Sequence, residues 1–144
     1  MKIEASIAID APPESVWPIA TDPRLVSRWN SNIVRVEYDG EGAVETGTRW
    51  TQVVSILGSE ETMEAEVVEC HPPFRGVVRM RGRGEPLVTT TVHPEGNGSI
   101  LTQVIEISIP AGLVGVALRL GEPVIRAQLN EALRRQKEAA EGGG

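Results

Sequence analysis

Aromatic rings, basic charge and cysteine are all in short supply in this chain. Trp17, Trp29, Tyr38, Trp50 and Phe74 make up only 3% of its 144 residues, against an apolar content of 40%. The apolar content therefore rests on aliphatic side chains, 17 valines among them, and β-branched residues favour strands over helices. Lys and Arg number 14 against 20 Asp and Glu, a net charge of −6. An acidic surface repels phosphate backbones and anionic headgroups, which excludes nucleic acid and membrane surfaces as expected partners. The lone cysteine, Cys70, excludes an internal disulfide and fits a reducing cytoplasm. Met1-Lys2-Ile3-Glu4 lacks an apolar h-region, so no secretory signal is expected. The uncharged run from Ser108 to Leu118 is about half the length that spans a bilayer. The expectation is a soluble, cytoplasmic chain with one domain over residues 1–141 and a disordered glycine tail at 142–144. A domain of this length buries roughly 70% of its unfolded surface without a metal or disulfide staple.

Periodicity supplies the organisation. Ile3, Ala5, Ile7 and Ile9 alternate with polar residues, which predicts a half-buried strand. Pro12-Pro13-Glu14 predicts a helix start, because proline tolerates the first turn and an acid favours its positive end. Asp22-Pro23 begins a second short helix carrying Leu25, Val26 and Trp29. Period two then returns, predicting strands near 33–39, 47–57, 62–70, 75–82, 86–93 and 99–109, separated by Gly, Pro and Asn turns. After Pro110 a helical pattern runs to about Ala140, with Ile125, Leu129, Ala132, Leu133 and Ala140 on one face and a break at Gly121-Glu122-Pro123.

Loops of hairpin length make the six later strands an antiparallel meander with one wet face. With Met63, Ala65 and Val67 inward, Phe74, Val78 and Met80 face them, and Val68 pairs with Val77, Glu66 with Arg79 and Glu64 with Arg81. The stripe of Arg75, Arg79, Arg81 and Arg83 is then a solvated face with ionic rungs. A turn at 95–98 puts Thr90 opposite Gln103.

This order resembles the helix-grip fold of the START/SRPBCC superfamily, in its bacterial polyketide cyclase/dehydrase-like branch. The residues that carry the likeness are Ile9-Asp10-Ala11-Pro12-Pro13-Glu14-Ser15-Val16-Trp17, Asp22-Pro23, Trp29-Asn30, Gly47-Thr48-Arg49-Trp50, Val67-Val68-Glu69-Cys70-His71-Pro72-Pro73 and Pro94-Glu95-Gly96-Asn97-Gly98-Ser99. The resemblance implies an α+β architecture: a curved seven-stranded antiparallel sheet, with two short helices after strand 1, wrapped around a long C-terminal helix. It also implies a cavity between sheet and helix for a small hydrophobic molecule. On the inward assignment the wall comprises Trp50, Val54, Ile56, Met63, Ala65, Val67, Val78, Met80, Val88, Leu101, Ile105 and Ile107, closed by Leu113, Ala117 and Leu120. The same residues also fit a filled core. Gln52, Thr90 and Gln103 break the apolar pattern, and they either bond one another or orient a ligand.

Catalytic groups are hard to find. The meander places His71 and His93 at or beside the closed end, away from the mouth that the resemblance implies. Cys70 and His71 are neighbours, which point to opposite faces of a strand, and no second pair has metal-ligand spacing. Gly82-Arg83-Gly84-Glu85 lacks the third glycine and the following helix of a phosphate loop. Ser55 and Ser99 have no placeable histidine, and Cys70 is expected to face outward and be inert. Glu60, Glu61, Arg83 and Glu85 either gate the mouth or solvate two loops. Gly112, Gly115 and Gly121 form either a hinged lid or a close-packed helix start. The leading expectation is a carrier or sensor of an apolar or amphipathic ligand, such as a lipid, with no metal or organic cofactor. A cyclase or dehydratase acting by substrate positioning and a ligand-free interaction module stand as alternatives. Valines among the outer charges leave open a weak homodimer through an edge strand.

Overall fold

The computed structural model describes residues 1–56 and 58–142, without the side chain of Ile56. Ile56 as a wall residue, and Gly143 and Gly144 of the expected tail, thus lie outside the described residues. The elements are β1 (Lys2–Ile9), α1 (Pro13–Thr21), α2 (Val26–Trp29), β2 (Ile33–Glu37), β3 (Arg49–Ile56), β4 (Ser59–His71), β5 (Arg75–Arg81), β6 (Leu87–Glu95), β7 (Gly98–Glu106), α3 (Leu113–Leu120) and α4 (Glu122–Glu141). Seven strands form one antiparallel sheet in the order β1-β7-β6-β5-β4-β3-β2. The meander thus runs across the sheet, and β1 joins it beside β7. The architecture is a helix-grip: a curved sheet holding a long C-terminal helix.

Local chemistry explains the elements. In β1, Ile3, Ala5 and Ile9 are buried while Lys2, Glu4 and Ser6 are exposed, the alternation of a strand with one face on the core. Pro12 caps α1 and Pro13 opens it, with Glu14 in the first turn. The Trp29 indole N–H donates to the Ile19 carbonyl at 3.0 Å, tying α2 to α1. In α4, Ile125, Leu129, Ala132, Leu133 and Gln136 share the buried stripe.

The packed core lies at one side of the sheet. Ile3, Ala5, Ile9, Val16, Trp17, Val92, Leu101, Ile125, Leu129 and Leu133 form one buried cluster between β1, β7, β6, α1 and α4. Helix α4 packs along β1 and touches α1 and α2. The concave face of β3, β4 and β5 is left for a different use.

Three sequence expectations are corrected. A bulge between Val67 and Glu69 removes Val68 from the ladder, so Glu69 rather than Val68 pairs with Val77; Glu66–Arg79 and Glu64–Arg81 are in register. Phe74, expected inward, sits in the β4–β5 turn and is 49% exposed. Helix α3 closes nothing: Leu113 is 88% and Leu120 77% exposed, and Ala117 is exposed too. Its one buried residue is Gly115, where a Cβ would come within 2.0 Å of the Pro110 carbonyl oxygen. The helix therefore packs through its glycine, and its larger side chains point away. Close packing, one of the two readings of these glycines, describes Gly115.

Candidate functional site: an apolar cavity between sheet and helix

A cavity of about 450 Å³ lies between the sheet and α4. Strand β3 contributes Trp50, Gln52 and Val54, β4 contributes Met63, Val67 and Cys70, and β5 contributes Gly76, Val78 and Met80. Val88, Thr90, Gln103, Ile105 and Ile107 continue the wall across β6 and β7. Ile125, Gln128, Leu129, Ala132 and Gln136 of α4 form the roof, with Trp17 and Trp29 from the short helices. Asn30, Ser31, Asn32, Gly58, Pro86 and Val124 line the end where α4 begins. Gly76 is part of the design: a Cβ there would lie 3.0 Å from the Trp17 ring.

Five residues expected to wall or close the cavity are elsewhere. Leu101 is fully buried in the packed core, because it lies on the side of the sheet that α1 and α4 cover. Ala65 has the right facing, but its methyl is 1% exposed between its register partners Trp50 and Met80, which reach past it. Leu113, Ala117 and Leu120 are exposed on α3. The other twelve described candidates, Trp50, Gln52, Val54, Met63, Val67, Val78, Met80, Val88, Thr90, Gln103, Ile105 and Ile107, meet at the cavity.

The polar wall residues are mostly paired. Gln52 is 3% exposed; its Oε1 accepts the Trp50 indole N–H at 2.8 Å, and its Nε2 donates to Met80 Sδ at 3.5 Å. Thr90 stands opposite Gln103, whose Nε2 donates to Thr90 Oγ1 at 3.4 Å. Cys70 is a correction: it lines the cavity instead of facing outward. The bulge at Val68 adds one residue to β4, so Cys70 falls in phase with inward Gly76. Its Sγ–H donates to the Val44 carbonyl at 3.6 Å, and burial, with Glu45 adding, pushes the thiol pKa up. The thiol therefore stays protonated at neutral pH, a poor nucleophile.

Among the described residues no Lys, Arg, His, Asp or Glu lines this cavity. His71 and His93 are exposed on strands outside it. Ser99 is buried with its Oγ–H on the Ala11 carbonyl at 2.7 Å, a structural bond. No cluster of three metal-ligating side chains occurs among the described residues. A family model described as polyketide cyclase / dehydrase and lipid transport matches residues 1–141. The chain belongs to that family.

Similar solved structures share the fold of this member of the polyketide cyclase / dehydrase and lipid transport family. TTHA0849 from Thermus thermophilus shares 18% identity over 100% of this chain and 99% of its own, with a TM-score of 0.77. BH1534 from Bacillus halodurans shares 16% over 98% and 97%, with a TM-score of 0.73. DynU16, a protein of the dynemicin biosynthetic locus, shares 21% over 99% of this chain and 48% of its own, with a TM-score of 0.68. At such identities the likeness is one of fold. No curated protein matches the chain.

For a member of this family, several wall residues escaped sequence reasoning. Trp17 and Trp29 reach the cavity from the two short helices, Cys70 sits beyond a bulge in β4 that period two does not reveal, and Gly76 is in phase with inward Val78 and Met80 but has no side chain to mark it. Gln136 is polar, yet it falls four residues after Ala132 and seven after Leu129, on the buried stripe of α4. That spacing was the available signal.

Proposed function

We propose that this family member binds a small apolar or amphipathic molecule in the sheet–helix cavity, as a carrier or sensor. The observation that carries the proposal is a volume of about 450 Å³ walled almost wholly by uncharged side chains. Interiors pack to crystal-like density with few voids larger than a water. A space of this size is within the range of small-molecule sites and far outside that of packing defects. That argues against the filled core which a ligand-free interaction module would have. General acid–base catalysis needs a titratable group near the operating pH. Among the described residues Cys70 is the only titratable one on the wall, and its pKa is raised, so binding is favoured over a proton-transfer reaction.

The test is titration with the neutral dye Nile red. One dye per chain should bind with a blue-shifted emission, and Trp50→Ala should weaken binding several-fold. No dye binding, or binding indifferent to Trp50, contradicts the proposal.

A further inference from the structure

Resting on the binding reading above, we propose that the Trp17 indole, seated on Gly76, is the stop that sets how long a ligand the cavity takes. Trp17 belongs both to the packed core and to the cavity wall. Helix α1 packs on α4, β6 and β7, and the ring reaches from there to β5, where its benzo edge meets Gly76. A Cβ built on Gly76 would lie 3.0 Å from Trp17 Cη2 and 3.6 Å from Cζ2. Glycine weakens the interior of a strand, and one reason to find it there is the close approach of another group. Gly76 is not left-handed, so space and not backbone conformation calls for the glycine. The group that needs the space is the ring.

The two residues close one end of the cavity. Trp17 is 5% exposed and Gly76 is buried. Along β5 the wall runs from Gly76 through Val78 to Met80, ~13 Å of strand. At the other end the lining residues Ser31, Gly58 and Val124 are exposed. A ligand therefore enters beside Val124 and ends at the indole. Trp17 shares its core cluster with Val16, Val92 and Leu133, all 1% exposed, and such interiors hold few voids larger than a water. A ring pushed off β5 by a side chain at position 76 has no room on the core side, so it moves into the cavity and shortens it. Trp17→Phe removes the benzo edge that rests on Gly76, and lengthens the cavity.

The experiment is displacement of Nile red by octanoate, decanoate, dodecanoate and tetradecanoate. It uses the intact protein, Gly76→Ala, Trp17→Phe and the double variant. Each methylene buried corresponds to about a fourfold gain in affinity, so Kd falls along the series until the chain meets the ring and then levels off. Gly76→Ala should leave octanoate unchanged and weaken the longest acid that still gains affinity in the intact protein by about fourfold or more. Trp17→Phe should move the levelling-off to a longer acid, and in the double variant it should restore the affinity that Gly76→Ala loses. An equal loss for all four acids in Gly76→Ala, or a levelling-off that Trp17→Phe does not move, overturns the stop and leaves the cavity reading intact. If Gly76→Ala does not fold, the Trp17→Phe series decides. Nile red that binds but is displaced by no acid overturns this inference alone; no binding of the dye overturns the cavity reading, and this inference with it.

Discussion

Truncating Leu101 and truncating Met80 should differ in cost, because one residue lies in the packed core and the other borders open space. Leu101 is 0% exposed within the cluster of β1, β7, α1 and α4. Leu101→Ala removes about three methyl or methylene groups from water-free contact, about 2.4 kcal/mol in transfer terms. A cavity term adds to this, because the surroundings relax only partly, for a total of about 3–4 kcal/mol. Met80 is partly exposed and lines the existing cavity, with its sulfur accepting from Gln52. Met80→Ala enlarges a space already present, so its cost should be about 1 kcal/mol. Urea unfolding gives both values, and for a chain of this size the first corresponds to roughly 10–15 °C in Tm. Ligand affinity should show the reverse order, falling with Met80→Ala and holding with Leu101→Ala. Equal destabilisation by the two substitutions would refute the division into packed core and open cavity.

Three other outcomes follow from the structure. Leu113→Ser, at a side chain 88% exposed on α3, should change stability by no more than about 0.5 kcal/mol and leave Nile red affinity unchanged; a loss of affinity would put α3 over the mouth. Cys70, with its raised pKa inside the cavity, should react slowly with maleimide at neutral pH and more slowly still with ligand bound, as mass spectrometry of the labelled chain would record. Glu131, whose pKa the Arg134 guanidinium chiefly lowers to about 2, with Arg135 adding, should titrate far below 4.5 by NMR. Its pairing favours the folded state above the unfolded value, and that contribution disappears as pH falls towards 2, a dependence absent in Glu131→Gln.

Much of the fold was legible because local signals agreed with one another. The alternation of β1, the prolines that open α1, the glycine–proline break before α4 and the pairing of Thr90 with Gln103 all follow from period and turn chemistry. The site was less legible, for reasons specific to each residue. Two adjacent valines, Val67 and Val68, hide a bulge, since either fits an inward position, and the hidden residue reverses the facing of Cys70. Leu101 and Ile105 occupy the same strand face, and only the placement of α1 and α4 decides which is packed and which borders the cavity. The apolar sequence of α3 suggested a closing helix, but its contact runs through Gly115. Gln136 is a polar residue on the apolar stripe of α4, and only the packing shows that it borders the cavity.

Native mass spectrometry of the purified protein, before and after denaturing extraction, tests the central claim most directly. The account predicts one noncovalent adduct of discrete mass per chain, released on denaturation, or a bare protein that gains one equivalent after soaking with fatty acids and polycyclic aromatics. A protein that is bare and stays bare after that soaking would contradict a ligand-binding cavity.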